Sequence, residues 1–308
     1  MLQSSTLKHF AIEEGFSACG IAKAEPICAE REKELKRWLS NGEHGEMEYL
    51  ARNFEKRCDP RLLVEGAKSI LSVAANYYPS IIASSSPHHT LCLAKYAYGT
   101  DYHEVVKEML RNVMRKAGLT EGIDGRVFVD TAPIDEKYWA EQAGLGWRGR
   151  NSQLIIPGMG SYFFLGEIVL TQEVDKYDEK GKNRCGTCHA CLNACPTRAL
   201  HGDGTLDARK CLSYLTIEHR GSLPTTCKEK MHPCFYGCDR CADACPWNTR
   251  FKQGTSIEAF KPREAILAMT DDDWKELSVE KYRELFKKSA VKRAKFEGLQ
   301  RNIRTLYE

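Results

Sequence analysis

Ten of the fourteen cysteines fall between Cys185 and Cys245, and eight of those ten are spaced to hold two iron–sulfur clusters. The first run is Cys185-x2-Cys188-x2-Cys191-x3-Cys195-Pro, and the second is Cys238-x2-Cys241-x3-Cys245-Pro, with Cys211 between them. C-x2-C-x2-C-x3-C-P is the bacterial ferredoxin run, whose fourth cysteine serves the other cluster. The C-x2-C-x2-C loop wraps three thiolates around one cubane. The Cys-Pro that follows turns the chain away, so its sulfur points elsewhere. Cys185, Cys188, Cys191 and Cys245 are therefore assigned to one [4Fe–4S] cluster. Cys195, Cys211, Cys238 and Cys241 are assigned to the second, where Cys211 completes a run of only three. Crossed ligands bring the clusters close enough to relay electrons. Cys227 and Cys234 are left over as plain thiols.

Other chemistries fit parts of the pattern. Cys185-x2-Cys188-His189 matches haem attachment, and paired C-x-x-C sites occur in zinc ribbons. Neither needs a further cysteine at ferredoxin spacing followed by Cys-Pro. Disulfides would need an oxidising compartment. No secretory h-region or apolar membrane span is seen in the sequence, so a cytoplasmic protein with no membrane contact is expected.

With 308 residues, the chain is far longer than a small ferredoxin and has room for two or three domains. Residues 1–60 read as helical, with Leu7, Phe10 and Ile12 on one side of the first helix. Leu35, Trp38 and Leu39 share a face of a second, which breaks at Asn41-Gly42. Residues 67–79 and 91–98 read as strands around a surface loop at 80–90. Residues 102–117 are strongly amphipathic through Val105, Val106, Met109, Leu110, Val113 and Met114, with Gly118 as the stop. Residues 126–130 form a short strand ending in Asp130, and 134–143 a helix. Residues 152–156 and 161–171 read as paired strands around the Gly158–Gly160 turn. The whole is an α+β fold: residues 1–175, then a ferredoxin-like cluster domain over 176–250, then a helical tail over 251–308.

Net charge is +3, unevenly placed. Residues 281–308 carry nine lysines and arginines against three acids, a net +6, so the rest is −3. A basic helix on a slightly acidic body is a candidate phosphate-binding surface, or simply a solvated face. No heptad or exposed apolar stripe is evident, and a monomer is expected.

Several strings together resemble epoxyqueuosine reductases over roughly residues 1–303. They are Tyr96-x-Tyr98-Gly-Thr-Asp101-Tyr102-His103, Asp130-Thr-Ala-Pro133, Ala143-Gly144-Leu145-Gly146-Trp147, Cys211-Leu-Ser213-Tyr214, Tyr236-Gly237-Cys238-Asp239 and Cys245-Pro-Trp247-Asn248. The resemblance implies a nitroreductase-like cobalamin-binding domain over 1–175, related to that of reductive dehalogenases. It implies reduction of epoxyqueuosine to queuosine at the wobble position of tRNA, the last step of queuosine synthesis. The cofactors would be cobalamin and two [4Fe–4S] clusters, fed by an external electron donor. Arg57, Tyr96, Asp101, Tyr102, Asn151 and Ser213 would lie near the corrin, although Tyr96 and Tyr102 also fit core packing. Gly149-Arg150-Asn151 stands where the family has Gly-Lys-Asn, and the swap alters hydrogen-bond geometry. No D-x-H-x-x-G cobalt-ligand motif occurs.

Removing an epoxide oxygen as water takes two electrons and two protons. The resemblance implies Asp130 as the proton donor, kept protonated by burial at a strand end. His103 reads as a helix-opening polar residue, and His201 as a loop residue with no partner. Longer relatives continue into HEAT-like helices that grip the anticodon stem. This chain stops just after Gly298–Asn302, which moves the tRNA grip onto 287–304, through Lys292, Arg293, Lys295 and Arg301. A small-molecule reductive dehalogenase and a ferredoxin-type electron donor are the alternatives.

Overall fold

The computed structural model describes residues 2–80 and 91–307; all but Ser80 of the surface loop expected at 80–90 lies outside them. In chain order the strands are β1 (Ala18–Lys23), β2 (Ser69–Asn76), β3 (Cys92–Leu93), β4 (Gly125–Phe128), β5 (Trp147–Arg148), β6 (Leu154–Ile155), β7 (Phe163–Leu170) and β8 (Cys234–Tyr236). The helices that matter most are α1 (Ser4–Glu13), α2 (Ala29–Ser40), α3 (Phe54–Cys58), α4 (Tyr102–Lys116) and α5 (Glu136–Gln142).

The main sheet has the order β1-β2-β7-β4, and every neighbouring pair is antiparallel. Alternation along the strands gives it two faces. On β2, Leu71, Val73 and Ala75 point to one layer, while Ile70 and Ala74 point to the other. α1 and α4 cover the first face through Leu7, Ala11, Val106, Leu110 and Val113. α5 covers the second through Trp139 and Ala140. α4 follows its sequence pattern: the Asp101 side chain accepts from the His103 N–H at its start, and Gly118 with φ +70° ends the turn beyond it. Leu110 is fully buried, and its truncation to alanine should cost about 2–5 kcal/mol.

Three local readings change. Residues 18–23 are a strand, not helix, and join the sheet edge-on to β2. Gly20 permits this, because a Cβ there would lie 1.9 Å from the Ala143 carbonyl oxygen. Residues 154–155 pair with β5 and not with β7, since both edges of β7 are already taken by β2 and β4. The expected strand at 91–98 shrinks to Cys92–Leu93. Beyond it, Lys95–Ala97 wind into a 3-10 turn whose Lys95 N–H donates to the Asp239 carboxylate at 2.7 Å.

β3 pairs in parallel with β8, and there Cys92 and Cys234 form a disulfide with Cα atoms 4.6 Å apart. Cys234 is therefore not a plain thiol; its partner stands 142 residues away, beyond the reach of spacing arguments. Cys227 stays free and buried.

Residues 251–307 do not hang free. Trp274, Tyr282, Phe286, Val291, Leu299 and Ile303 share one core with Leu91, Leu93, Tyr98, Phe235 and Tyr236. Asn302 is fully buried and donates through Nδ2 to the carbonyls of Thr216 (2.7 Å) and Phe235 (2.9 Å). Among the described residues no helix is long and apolar enough to cross a membrane.

Candidate active site

A cavity of about 290 Å³ opens between α2, α3 and the start of α5. Leu35, Trp38, Leu39, Met47, Leu50 and Phe54 give it an apolar wall, and its polar lining includes Asp130, Glu136, Lys137 and Ser152 together with the charged Arg31, Glu34, Asp135 and Arg148. Arg57 joins them from the end of α3. Its Nη1 donates to the Ile134 carbonyl at 3.1 Å, while its buried Nε has no partner among the described residues.

Asp130 sits just past β4 with φ +50°, a left-handed conformation that costs most side chains about 1–2 kcal/mol and aspartate less. Its backbone N–H donates to the Glu136 carboxylate, which holds the turn. One carboxylate oxygen, Oδ2, accepts from the Tyr102 hydroxyl and lies 3.1 Å from His103 Nε2. The other ring nitrogen of His103 lies 2.7 Å from Asp101 Oδ1. Tyr102 and His103 open α4, so the helix cap and the strand end meet at one carboxylate.

These contacts reverse the expectation for Asp130. Half of its side-chain surface remains exposed on the cavity side, yet the surrounding walls are deep enough for burial to pull its pKa upward. The bonds from His103 and Tyr102, with the charges of His103 and Lys137, outweigh that pull and hold it below the ordinary aspartate value. The proton rests elsewhere. Burial alone would depress His103, but its bonds to Asp101 and Asp130 lift it to about 9. Burial, then the charge of Asp130, push Glu136 up to about 8. Burial lowers Lys137, whose Nζ donates to the Ser152 carbonyl at 2.8 Å.

Beneath the floor, Glu167 on β7 is fully buried, and neither of its oxygens has a hydrogen-bond partner among the described residues. Ser72 and Phe128 stand opposite it on the flanking strands. Burial, then Glu136 and Asp135, drive its pKa far above the carboxylate range.

The cysteines gather beside this chamber. Cys245 and Cys191 lie close enough to Cys185 for their charges to act on one another, and Cys188 acts on Cys245. Cys241 feels Cys211, Cys238 and Cys195 in the same way. Eight thiols thus stand in two groups of four. Among the described residues no three thiol, imidazole or carboxylate groups converge as a single ion would require; a cubane spreads its ligands over a larger volume. In the second group, Cys211 lies near enough to Lys137 of the cavity lining to feel its charge.

The other expected corrin neighbours are dispersed. Tyr96 packs edge-on to Tyr102 at 6.3 Å and donates to the Tyr236 hydroxyl at 3.3 Å, one ring behind the site. Asn151 is buried against the second cysteine group, with Nδ2 3.4 Å from the Cys241 carbonyl. Ser213 presents its backbone N–H to Cys211. Arg150 donates to the Gly202 and Gly186 carbonyls at 3.1 and 3.0 Å.

In the basic segment, Lys292 and Lys295 are exposed. Arg293 forms a two-pronged pair with Glu218, both bonds 2.8 Å, over the Tyr49 ring; it also feels the charge of Asp130. The Arg301 guanidinium is committed inward, to the carbonyls of Leu215, His219 and Gly221. His201 is not alone either, lying 3.3 Å from Glu43.

Sequence reasoning missed His103, Glu136 and Lys137 as members of the site. The available signal was Asp101 and His103, two apart at a helix start, followed by a second acid at the end of a strand.

Two cysteine quartets beside a proton-bearing chamber define an iron–sulfur oxidoreductase, and residues 184–248 match the profile of a 4Fe-4S double cluster binding domain. Residues 57–131 match the profile described as Epoxyqueuosine reductase QueG, DUF1730. The epoxyqueuosine reductase of Leadbetterella byssophila is 46% identical over 97% of each chain. A crystal structure of an epoxyqueuosine reductase with an epoxyqueuosine-modified tRNA-Tyr stem loop superposes with a TM-score of 0.89, at 27% identity, covering 98% of this chain and 80% of that one. The Bacillus subtilis enzyme, with its catalytic aspartate loop swung out of the active site, gives 0.85 at 27% identity over the same shares. The chain belongs to the epoxyqueuosine reductase family.

Proposed function

We propose that the chain reduces epoxyqueuosine to queuosine at the wobble position of tRNA, in the cytoplasm and as a monomer. The observation that carries this reading is the Asp130–His103–Tyr102 cluster beside a cavity, with two cysteine quartets alongside. Cys185, Cys188, Cys191 and Cys245 hold one [4Fe–4S] cluster, and Cys195, Cys211, Cys238 and Cys241 hold the other. The cavity suits cobalamin in chemistry: an apolar wall for the ring face, and the unpartnered Arg57 Nε for an acceptor on its edge. Cobalamin, when bound, supplies the low-potential metal that delivers electrons to the epoxide.

The protein's own task is protons and position. Asp130 meets the departing oxygen. At neutral pH it is the carboxylate through which His103 passes a proton, and Glu136 holds a second one behind it. Positioned acids of this kind contribute about a hundred- to ten-thousand-fold. Tyr102 and the Glu136 bond to the Asp130 N–H fix the loop. The B. subtilis relative, described with an aspartate-bearing catalytic loop swung out of its active site, supports placing Asp130 in the chemistry.

The relative solved with a tRNA stem loop supports tRNA as the partner. Arg293 and Tyr49 lie near enough to Asp130 to feel its charge, and Lys292 beside them is exposed. The wobble base would leave its stack at a few kcal/mol, offset by phosphate contacts there. An external one-electron donor feeds the clusters. The test is mass spectrometry of tRNA nucleosides from cells lacking the chain. Accumulated epoxyqueuosine is expected, and unchanged queuosine would refute the proposal.

A further inference from the structure

Trp147 is fully buried in a small core with Ile155 and Cys245. Its indole Nε1–H donates to the Sγ of Cys185 at 3.3 Å. The ring is fixed from both sides. β5 sets Trp147 opposite Ile155, and Trp247 packs against it in a T with centroids 5.0 Å apart. The backbone is built for this closeness: a Cβ on Gly146 would lie 2.0 Å from the Ile155 oxygen, and one on Gly181 1.7 Å from the Gly146 oxygen.

Backbone donors serve both groups, as where the Ala199 N–H meets Cys195 at 3.3 Å and the Leu192 N–H meets Cys191, and Thr197 Oγ1 lies 3.6 Å from Cys195. The Trp147 donor belongs to a side chain and can be removed without touching the backbone. An N–H···S bond draws charge from a thiolate. A reduced cluster carries one more negative charge than an oxidised one, so the bond stabilises it more and raises the potential.

We propose that Trp147, through its bond to Cys185, sets the reduction potential of the first cluster and makes it the one that an external one-electron donor reduces. Its position agrees. Cys188 of that quartet is exposed, whereas Cys211 of the other lies toward Lys137 on the cavity side. Electrons then arrive at the surface cluster and leave from the inner one. The inference rests on the double-cluster reading and is independent of the substrate.

The test is a redox titration, followed by electron paramagnetic resonance, of the full chain carrying both clusters. Trp147→Phe keeps an aromatic ring in the same core and deletes the donor. Iron and sulfide content should stay the same, one potential should become more negative, and the other should not move. If the phenylalanine variant fails to hold the first cluster, benzothienylalanine at position 147 repeats the test, since it keeps the bicyclic shape with sulfur in place of N–H. Both potentials unmoved, or both moved equally, would overturn the proposal. A wild-type chain that takes up a single cluster would sink the double-cluster reading and the proposal with it, leaving the nucleoside test of the substrate standing.

Discussion

His103 Nε2 lies 3.1 Å from Asp130 Oδ2, so a helix start and a strand end meet at one carboxylate. With Tyr102 on the same oxygen, Asp130 is held ionised and His103 charged. Asp130 is thus one half of a pair with His103 and not a lone buried carboxyl group.

Asp130→Asn should keep its iron content and its cobalamin affinity but lose turnover by about a hundred- to ten-thousand-fold. Single-turnover assays on epoxyqueuosine-containing tRNA, with iron and cobalamin quantified in parallel, measure this. Retained turnover would remove Asp130 from the chemistry.

The pH dependence follows from His103. Its folded pKa, about 9, lies above the unfolded value of 6.5. The charged ring therefore stabilises the fold fully below pH 6.5, and that contribution disappears as pH rises through 9. It is worth up to about 3 kcal/mol at 1.4 kcal/mol per pK unit. His103→Gln should be less stable than wild type at pH 6, and the gap should close by pH 10. Turnover should fall on the alkaline side, first near 8 as Glu136 ionises and again near 9, and the later step should vanish in the variant. Denaturant melts and rate profiles across pH 6–10 check both.

Glu167 gives the opposite experiment on stability. Its folded pKa is raised, so the protonated fold is favoured below the unfolded glutamate value of about 4.3 and is weakened as pH rises above it. Glu167→Gln cannot ionise. Its melting temperature should exceed wild type by a margin that widens from pH 5 to pH 8, at up to about 1.4 kcal/mol per pH unit. Parallel curves for the two proteins would show that burial does not raise the folded pKa of Glu167 above its unfolded value.

Binding of tRNA should weaken steeply with salt. Lys292→Ala and Lys295→Ala each remove one exposed positive charge from the proposed phosphate-binding surface. Either substitution should reduce the slope of log K against log salt by about one. Arg301→Ala should act differently, by lowering stability, because its guanidinium holds internal carbonyls. Fluorescence anisotropy with an anticodon stem loop separates the two effects.

What the sequence revealed was local. Cysteine spacing reports ligands because three thiolates share one loop, and α4 is legible because its apolar stripe repeats over fifteen residues. β1 was hidden among helices because Gly20 owes its place to α5, not to its neighbours in sequence. The Cys92–Cys234 pair was hidden by separation. The partners of Asp130 are hidden for the same reason. Burial is inferable from a strand end, but the partners that outweigh it come from a helix start 27 and 28 residues earlier. Arg301 shows that a positive residue in a basic run can be internal scaffolding once a buried helix supplies unpaired carbonyls.

The most direct measurement is conversion in vitro. The purified chain, with both clusters reconstituted, is given epoxyqueuosine-containing tRNA and a one-electron reductant, with and without cobalamin, and nucleosides are counted by mass spectrometry. Queuosine should form with cobalamin and not without it. Equal conversion in its absence, or none in its presence with both clusters intact, would contradict the account.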